Sequence, residues 1–328
     1  MPRSRKGQRR GVRVQPWNYR KQRSTDVDEH AACLSHWEQR YEQLSPGRFD
    51  GVLEELWIGP LQVFRETTMQ ALVQQGTAGP HALTLALPVG PTRADAWFCG
   101  RQVGAAPQPV LLATGEFELA TRGPFDIVAV GVSAPAWAAE LGELPALPGR
   151  DGGSRVLPCA AAAERDDLRD ALLGVLASAG RHPSRVPPPA QLGHIRQLLH
   201  DLLAGMAQAP ARGGGTAASR QRIVRAARRY MAEHADQTID VPTLCAALHV
   251  SRRTLQYAFE DVLQMGPVAF LRALRLNGMR RDLRRGGDEP VADRAARWGF
   301  WHLSRFAADY RLLFGERPSE TLRRARAH

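Results

Sequence analysis

Apolar residues recur at two different periods along this chain, and the change of period divides it. Through Gly51–Ile58, Leu61–Glu66, Ala82–Val89, Ala94–Phe98, Val110–Thr114, Glu116–Ala120 and Phe125–Val132 they come in short runs, often alternating with polar residues. Gly, Pro and Thr separate the runs, which predicts an antiparallel sheet or a small, cupin-like barrel. Ala31–Tyr41, with Leu34 and Trp37 on one face, reads as a short helix. Met69–Gln75 fits helix or strand equally. Beyond Pro135 the period is helical. Ala136–Leu141 reads as a turn or two, and Glu164–Ala177 carries Leu168, Leu172, Leu173 and Leu176 at helical spacing. Four prolines break the chain at Arg181–Pro189. Gln191–Ala207 then presents a wide stripe of Leu192, Ile195, Leu198, Leu199, Leu202 and Leu203, suited to a domain core or, by preference, a dimer surface.

After a Gly213–Gly215 linker the apolar pattern repeats itself. Leu255, Phe259 and Pro267 return 51 positions later as Phe306, Tyr310 and Pro318. Each four-residue step places two apolar groups on one helix face. Upstream, the turn His249-Val250 before Ser251 is echoed by Gly299-Phe300. A sharp turn before such a helix makes a compact pair whose second helix can enter a DNA major groove. Between the copies, a helix from Pro267 to Arg285 would span roughly 27 Å, close to the ~34 Å of one DNA turn. Its arginines (Arg272, Arg275, Arg280, Arg281, Arg284, Arg285) suit a solvated face or phosphate contacts.

Charge sharpens the division. Residues 1–25 hold nine Arg and Lys and no acids, and residues 219–328 hold 21 Arg against 12 acids, so each end carries +9 while the stretch between carries −7. A polyanion therefore suits the ends and something smaller the middle. The first 25 residues read as a flexible basic arm, either merely solvated or touching phosphates. Cys33, Cys99, Cys159 and Cys245 are scattered without ligand spacing, the usage of a reduced, cytoplasmic protein. No apolar run approaches a membrane span. No GxSxG, P-loop or GxGxxG appears, no HxH or HxxxH pair offers a metal site in the first half, and no enzyme is expected.

Ser251 is placed to cap the first recognition helix. Leu255 and Phe259 point inward, which leaves Arg252, Arg253, Gln256 and Tyr257 outside. Arg pairs bidentately with guanine and Gln with adenine, so Arg253 and Gln256 suit base reading. The runs VSRRTLQYAFE (Val250–Glu260), PVAFLRALRLN (Pro267–Asn277) and WGFWHLSRFAADYRLLFGERPSETL (Trp298–Leu322) resemble the tandem helix-turn-helix domain of the AraC/XylS transcription regulators. The resemblance implies base-facing roles for Arg253, Gln256 and Tyr257 in the first copy and for Leu303, Ser304, Arg305 and Ala308 in the second. It also implies promoter DNA, a small-molecule effector, a homodimer and RNA polymerase as partners. The sequence departs from the family pattern at His249 and Gln264, where Gly is common, at His302 in place of a Ser or Asp cap, and at Arg294 in place of an aliphatic.

The runs Asp26–Phe49 and Glu55–Gly76 are similar to the ethanolamine-operon regulators of that family. This second resemblance implies a sensing N-terminal domain, with ethanolamine and adenosylcobalamin as candidate signals. A cationic amine needs a carboxylate and aromatic faces, for which Glu55 or Glu66 with Trp57 or Trp97 are candidates; Arg65 and His81 are further polar contacts. The aromatics Trp57, Phe64, Trp97, Phe98 and Phe117 line a pocket or fill the core. The expected fold is α+β: a basic arm (1–25), an antiparallel β-rich sensor (26–134), a helical connector that dimerises (135–208), a linker (209–218) and an all-α DNA-binding domain (219–328). An architectural DNA binder accounts for the charge but leaves the β half without a role.

Overall fold

The computed structural model describes residues 17–77, 83–89, 96–99, 101–103, 108–113, 116–132, 155–156, 162–207, 216–234 and 239–327. Twelve described strands form two antiparallel sheets. The first contains β1 (Trp17–Ser24), β3 (Gly51–Ile58), β4 (Leu61–Thr68), β6 (Leu83–Pro88), β9 (Val110–Ala113), β11 (Phe125–Val132) and β12 (Arg155–Val156), in the order β1-β3-β4-β11-β6-β9-β12. The second holds β2 (Glu38–Gln43), β5 (Leu72–Thr77), β7 (Ala96–Phe98), β8 (Arg101–Val103) and β10 (Glu116–Thr121), in the order β2-β5-β10-β7-β8.

Successive strand residues point to opposite faces, and here both faces of both sheets are used. Phe64, Glu66, Ala86 and Ile127 of the first sheet meet Gln74, Phe98, Phe117 and Leu119 of the second around a small apolar cavity of about 40 Å³. On the far side of the first sheet, Val63, Leu85, Leu87, Val128 and Val130 lie buried beneath two helices, α2 (Ala162–Arg181) and α3 (Pro189–Ala207). On the far side of the second, Val73, Trp97 and Ala120 share a core with the C-terminal helices. The layers therefore run from the α2–α3 pair to the first sheet, the cavity, the second sheet and the C-terminal domain.

That domain comprises α4 (Thr216–Glu233), α5 (Val241–Leu248), α6 (Arg252–Leu263), α7 (Pro267–Arg284), α8 (Val291–Arg297), α9 (Leu303–Phe314) and α10 (Pro318–Arg326). Phe259 and Phe270 sit in the core of its first half, and Phe306, Tyr310 and Phe314 in that of its second. No helix among the described residues is long and apolar enough to cross a membrane.

Several expectations need correction. The helix read at Ala31–Tyr41 is instead α1 (Val27–Ala31) followed by strand β2. Asp26 caps α1 by accepting from the N–H groups of Asp28 and Glu29, and the chain leaves it before Leu34 and Trp37, which enter the barrel core. The last part of the basic arm is not free: Trp17–Ser24 forms edge strand β1, paired along its length with β3. Its cations Arg20, Lys21 and Arg23 meet Glu55, Glu54 and Asp50 rather than standing out for phosphate. Met69–Gln75 resolves into a bend and then β5. The α3 stripe is intramolecular core, with Ile195, Leu199, Leu202 and Leu203 buried in the same cluster as α2 and the first sheet. Ala136–Leu141 lies outside the described residues.

Because the stripe is core, Leu199→Ala should cost about 2–5 kcal/mol of unfolding free energy without altering the oligomeric state. Urea denaturation and sedimentation of the same variant check both halves. Unchanged stability with a lost dimer would instead make the stripe an intermolecular surface.

Candidate nucleic-acid interface

Local chemistry builds each reading helix. Asp240 caps α5 through the N–H of Thr243, at 2.8 Å. The helix ends on His249 in the left-handed conformation (φ 53°), whose N–H and that of Val250 return to Ala246 and Cys245. Ser251 then caps α6 by accepting from Thr254 at 3.0 Å. In the second copy the left-handed residue is Gly299 (φ 76°), and three residues rather than two separate it from the next helix. His302 occupies the cap position of α9 without a side-chain bond. Gln264 ends α6 in the left-handed region too, at φ 53°, where a side chain costs energy that glycine avoids.

The departure at Arg294 has a structural use. This arginine is 4 % exposed and donates to the carbonyls of Asp282, Gly286 and Glu289, tying down the bend between α7 and α8. An aliphatic side chain would leave those carbonyls without that donor.

The outer faces of α6 and α9 stay open. Ser251, Arg252, Arg253 and Tyr257 are exposed, with the Arg253 guanidinium over the Tyr257 ring, 5.2 Å from its centroid. Gln256 is half-buried and donates to Glu260 at 2.6 Å, so its amide must turn before it can meet a base. Leu303, Ser304, Arg305 and Ala308 are exposed along α9. Trp301, 77 % exposed beside them, joins Leu303 in an apolar patch of a kind that suits a thymine methyl. The pattern reading missed it because an isolated surface aromatic leaves no periodicity.

Four of the six arginines expected on a solvated or phosphate-touching face of α7 form ion pairs instead, whereas Arg285, just past its end, is exposed. Arg280 is buried and reaches Asp26 at 2.6 Å and Glu316 at 3.1 Å. Arg281 pairs with Glu42 at 2.9 Å and Asp28 at 3.4 Å, and Arg284 with Asp26 and Glu29. Arg272 pairs with Asp309. Burial alone would raise the Asp26 carboxyl; the Arg280 and Arg284 charges and the Glu29 N–H outweigh it and hold the group below its ordinary value. At Asp28 burial wins and the carboxyl is raised. Beside these pairs, Asn277 donates to the Gln43 carbonyl at 2.9 Å and accepts from the Gln43 N–H at 3.0 Å, as a neighbouring strand would. Further along, Arg228 of α4, 3 % exposed, meets Glu118 of β10 at 2.6 Å.

The β domain also holds both recognition helices by their C-terminal carbonyls. Arg122 donates to those of Asp261 and Val262 on α6. On α9, the Gly47 N–H donates to Leu312 and the Gln43 side chain to Leu313, at 3.0 and 2.6 Å. These positions correspond, 51 residues apart, in the two copies.

Residues 244–324 match the model of a helix-turn-helix domain family. Over 103 residues the chain is 41% identical to a probable thc operon regulatory protein of Rhodococcus erythropolis, covering 31% of each chain. It is 29% identical over 157 residues to a XylDLEGF operon transcriptional activator of Pseudomonas putida, covering 47% of this chain and 46% of that one. A solved structure of a probable AraC family regulator from Rhodopseudomonas palustris is 35% identical, covering 32% of this chain and 97% of that one, with a TM-score of 0.31. The C-terminal unit is an AraC/XylS-type DNA-binding domain. The matches span less than half the length of the curated regulators just named.

The residues expected to meet an effector disperse around this AraC/XylS-type domain and its β partner. Only Glu66 lines the cavity. Glu55 is fully buried in a separate network, accepting from Ser35, Gln62, Trp57 and Arg20. Trp57 is engaged there, and Arg65 pairs with Asp126 across β4 and β11 at 2.6 Å. Trp97 faces outward under Arg122, 3.9 Å from its ring centroid, as part of the domain junction. His81 lies outside the described residues. Trp37, Phe64, Phe98, Phe117 and Phe125 supply the aromatic wall instead. Strand parity separates these groups, and a one-residue shift of register reverses it.

Two outcomes check this interface. Arg253→Ala should cost about 1–3 kcal/mol on a specific DNA site and relax preference at one base pair, whereas Arg252→Ala should weaken all DNA alike; a quantitative binding profile unchanged by Arg253→Ala would displace α6 from the groove. Asp26→Asn should lower stability by about 3–5 kcal/mol, because it removes one of the two carboxylates that face the buried Arg280. A carboxyl depressed in the folded state contributes stability above its ordinary pKa of 3.8 and loses it as pH falls through the folded value. Thermal melts should therefore show wild type and variant converging below about pH 4.

Proposed function

We propose that this chain is an effector-dependent transcription regulator, in which the β domain senses a small molecule and the AraC/XylS-type domain reads a promoter. The observation that carries the reading is the shared second sheet: one face lines the cavity and the other holds the DNA-binding domain. The names of the similar proteins, an operon regulatory protein and an operon transcriptional activator, support a role in operon activation; a catabolic operon as target and RNA polymerase as partner are part of the same proposal.

Within this reading the finer expectations fare unequally on physical grounds. Ethanolamine would bring an ammonium to Glu66, yet its two carbons would cover little of a wall this apolar. Adenosylcobalamin is far larger than the cavity, so the residues there do not fit it. A homodimer would need a surface other than the α3 stripe. The wall favours an apolar signal over a strongly polar one.

Selection of random DNA by the full chain, followed by footprinting, tests the function. The expected result is one discrete site reaching across two neighbouring major grooves, with affinity falling about a thousandfold or more between roughly 50 and 200 mM salt if six or more phosphates are contacted. Diffuse protection with no preferred sequence would overturn the proposal in favour of an architectural binder.

A further inference from the structure

The two copies of the reading unit differ by one residue in the turn. In the first, Val250 and Ser251 separate the left-handed His249 from α6; in the second, Phe300, Trp301 and His302 separate the left-handed Gly299 from α9. Val250 packs half-buried against the core of the first copy. Phe300 is buried in the core of the second, with its ring 4.9 Å from that of Phe306. Phe300 therefore fills the inward place, and the cap position falls to His302. Trp301 is the residue left over. It stands out of the turn at 77 % exposure, the most exposed large apolar side chain among the described residues.

The helix that follows has changed in the same direction. Where α6 carries Arg252, Arg253, Gln256 and Tyr257, α9 carries Leu303, Ser304, Ala307 and Ala308, each 51 residues later. Leu303, two positions from Trp301, is itself 46 % exposed. Charged and hydrogen-bonding groups thus face outward on the first recognition helix, and mostly hydrocarbon on the second, with Arg305 as its exception. An exposed apolar patch marks a surface that another molecule covers. The N-terminal residues of a recognition helix are the ones that reach base edges, and this patch lies at that end of α9. On the major-groove edge the C5-methyl of thymine is the apolar group; the other features there are hydrogen-bond donors and acceptors.

We propose that the second reading head recognises thymine by covering its methyl group with Trp301 and Leu303. The two heads then read their half-sites by different chemistry: hydrogen bonds from Arg253 and Gln256 in one groove, hydrocarbon contact in the next. This deepens the promoter-binding reading above and rests on it. Burial of the methyl favours thymine, and a cytosine at the same place would put its amino donor against hydrocarbon, where it goes unsatisfied. Because the heads differ, the site has a direction, which fixes the orientation of the chain on the duplex.

The full chain should be titrated by fluorescence anisotropy against a duplex carrying the site it selects from random DNA. Further duplexes replace each thymine in turn by deoxyuridine, which pairs alike but lacks the methyl. At least one thymine, about 10 base pairs from the pair whose preference relaxes in Arg253→Ala, should lose about fourfold in affinity, the equivalent of ~0.8 kcal/mol for one buried methyl group. Trp301→Ala should bind thymine and uracil alike at that position, and Trp301→Phe should keep part of the difference. Arg305→Ala should weaken binding and leave the difference in place. Since Trp301 is exposed, its variants should melt with the unaltered chain, which separates a lost contact from a lost fold. A uracil penalty that survives Trp301→Ala, or its absence at every thymine of that half-site, would overturn the proposal and leave the discrete site and the regulator reading standing. Equal weakening of both duplexes by Trp301→Ala would set the ring on the sugar–phosphate backbone and overturn it likewise. A chain that selects no preferred sequence would overturn both readings.

Discussion

The arrangement depends on one sheet being buried on both faces. Along β10, Phe117 and Leu119 turn into the cavity while Glu118 and Ala120 turn toward the DNA-binding domain. On β7, Phe98 faces the cavity and Trp97 the junction; on β5, Gln74 and Val73 divide in the same way. The two-residue period of a strand thus sets a cavity wall and a domain interface one backbone apart. A displacement of these strands cannot be confined to either side, because interiors packed to crystal-like density transmit strain.

Electrostatics makes the junction specific where apolar packing alone would leave it adjustable. The acidic surplus of the middle of the chain is drawn partly from Asp26, Asp28, Glu29, Glu42 and Glu118, and the basic surplus of the end partly from Arg228, Arg280, Arg281 and Arg284. These opposite charges meet inside the molecule. Some of the basic charge that composition assigns to DNA is therefore spent on the domain interface, while Arg252, Arg253 and Arg305 remain exposed on the recognition helices. Buried pairs of this kind are weak contributors to net stability and costly to break singly, a combination that favours a junction with defined geometry and modest depth.

The helical repeat was legible in the sequence because local rules determine it. Caps, turns and four-residue steps all act within a few positions, so Ser251, Leu255, Phe259 and their counterparts fell into place from spacing. Strands Gly51–Ile58 and Phe125–Val132 were equally clear, since both combine apolar runs with turn residues at each end. The aromatic wall of the cavity was only half legible: aromatics in strands were evident, but which face each one took depended on registers set by partners far along the chain. Glu66 was distinguishable from Glu55 only once Arg20 was seen to neutralise the latter. Arg280, Arg281 and Arg284 of α7 failed for the same reason. Their partners in the β half lie about 240 or more positions away, beyond the reach of any local pattern.

Two equivalent grips at the ends of the recognition helices suggest what the junction controls. The β domain bonds Asp261 and Val262 on one helix and Leu312 and Leu313 on the other, while Asn277 and Arg280 fix the helix between them. It approaches α6 and α9 from their C-terminal ends and leaves the N-terminal residues of both exposed, so it does not cover the reading surface described above. What it holds is the geometry of one reading head relative to the other. Two helices entering successive grooves must match the helical repeat of DNA, and a small rotation of one against the other costs contacts in both grooves at once. Holding that rotation from behind constrains both reading helices without occupying the surface that faces DNA.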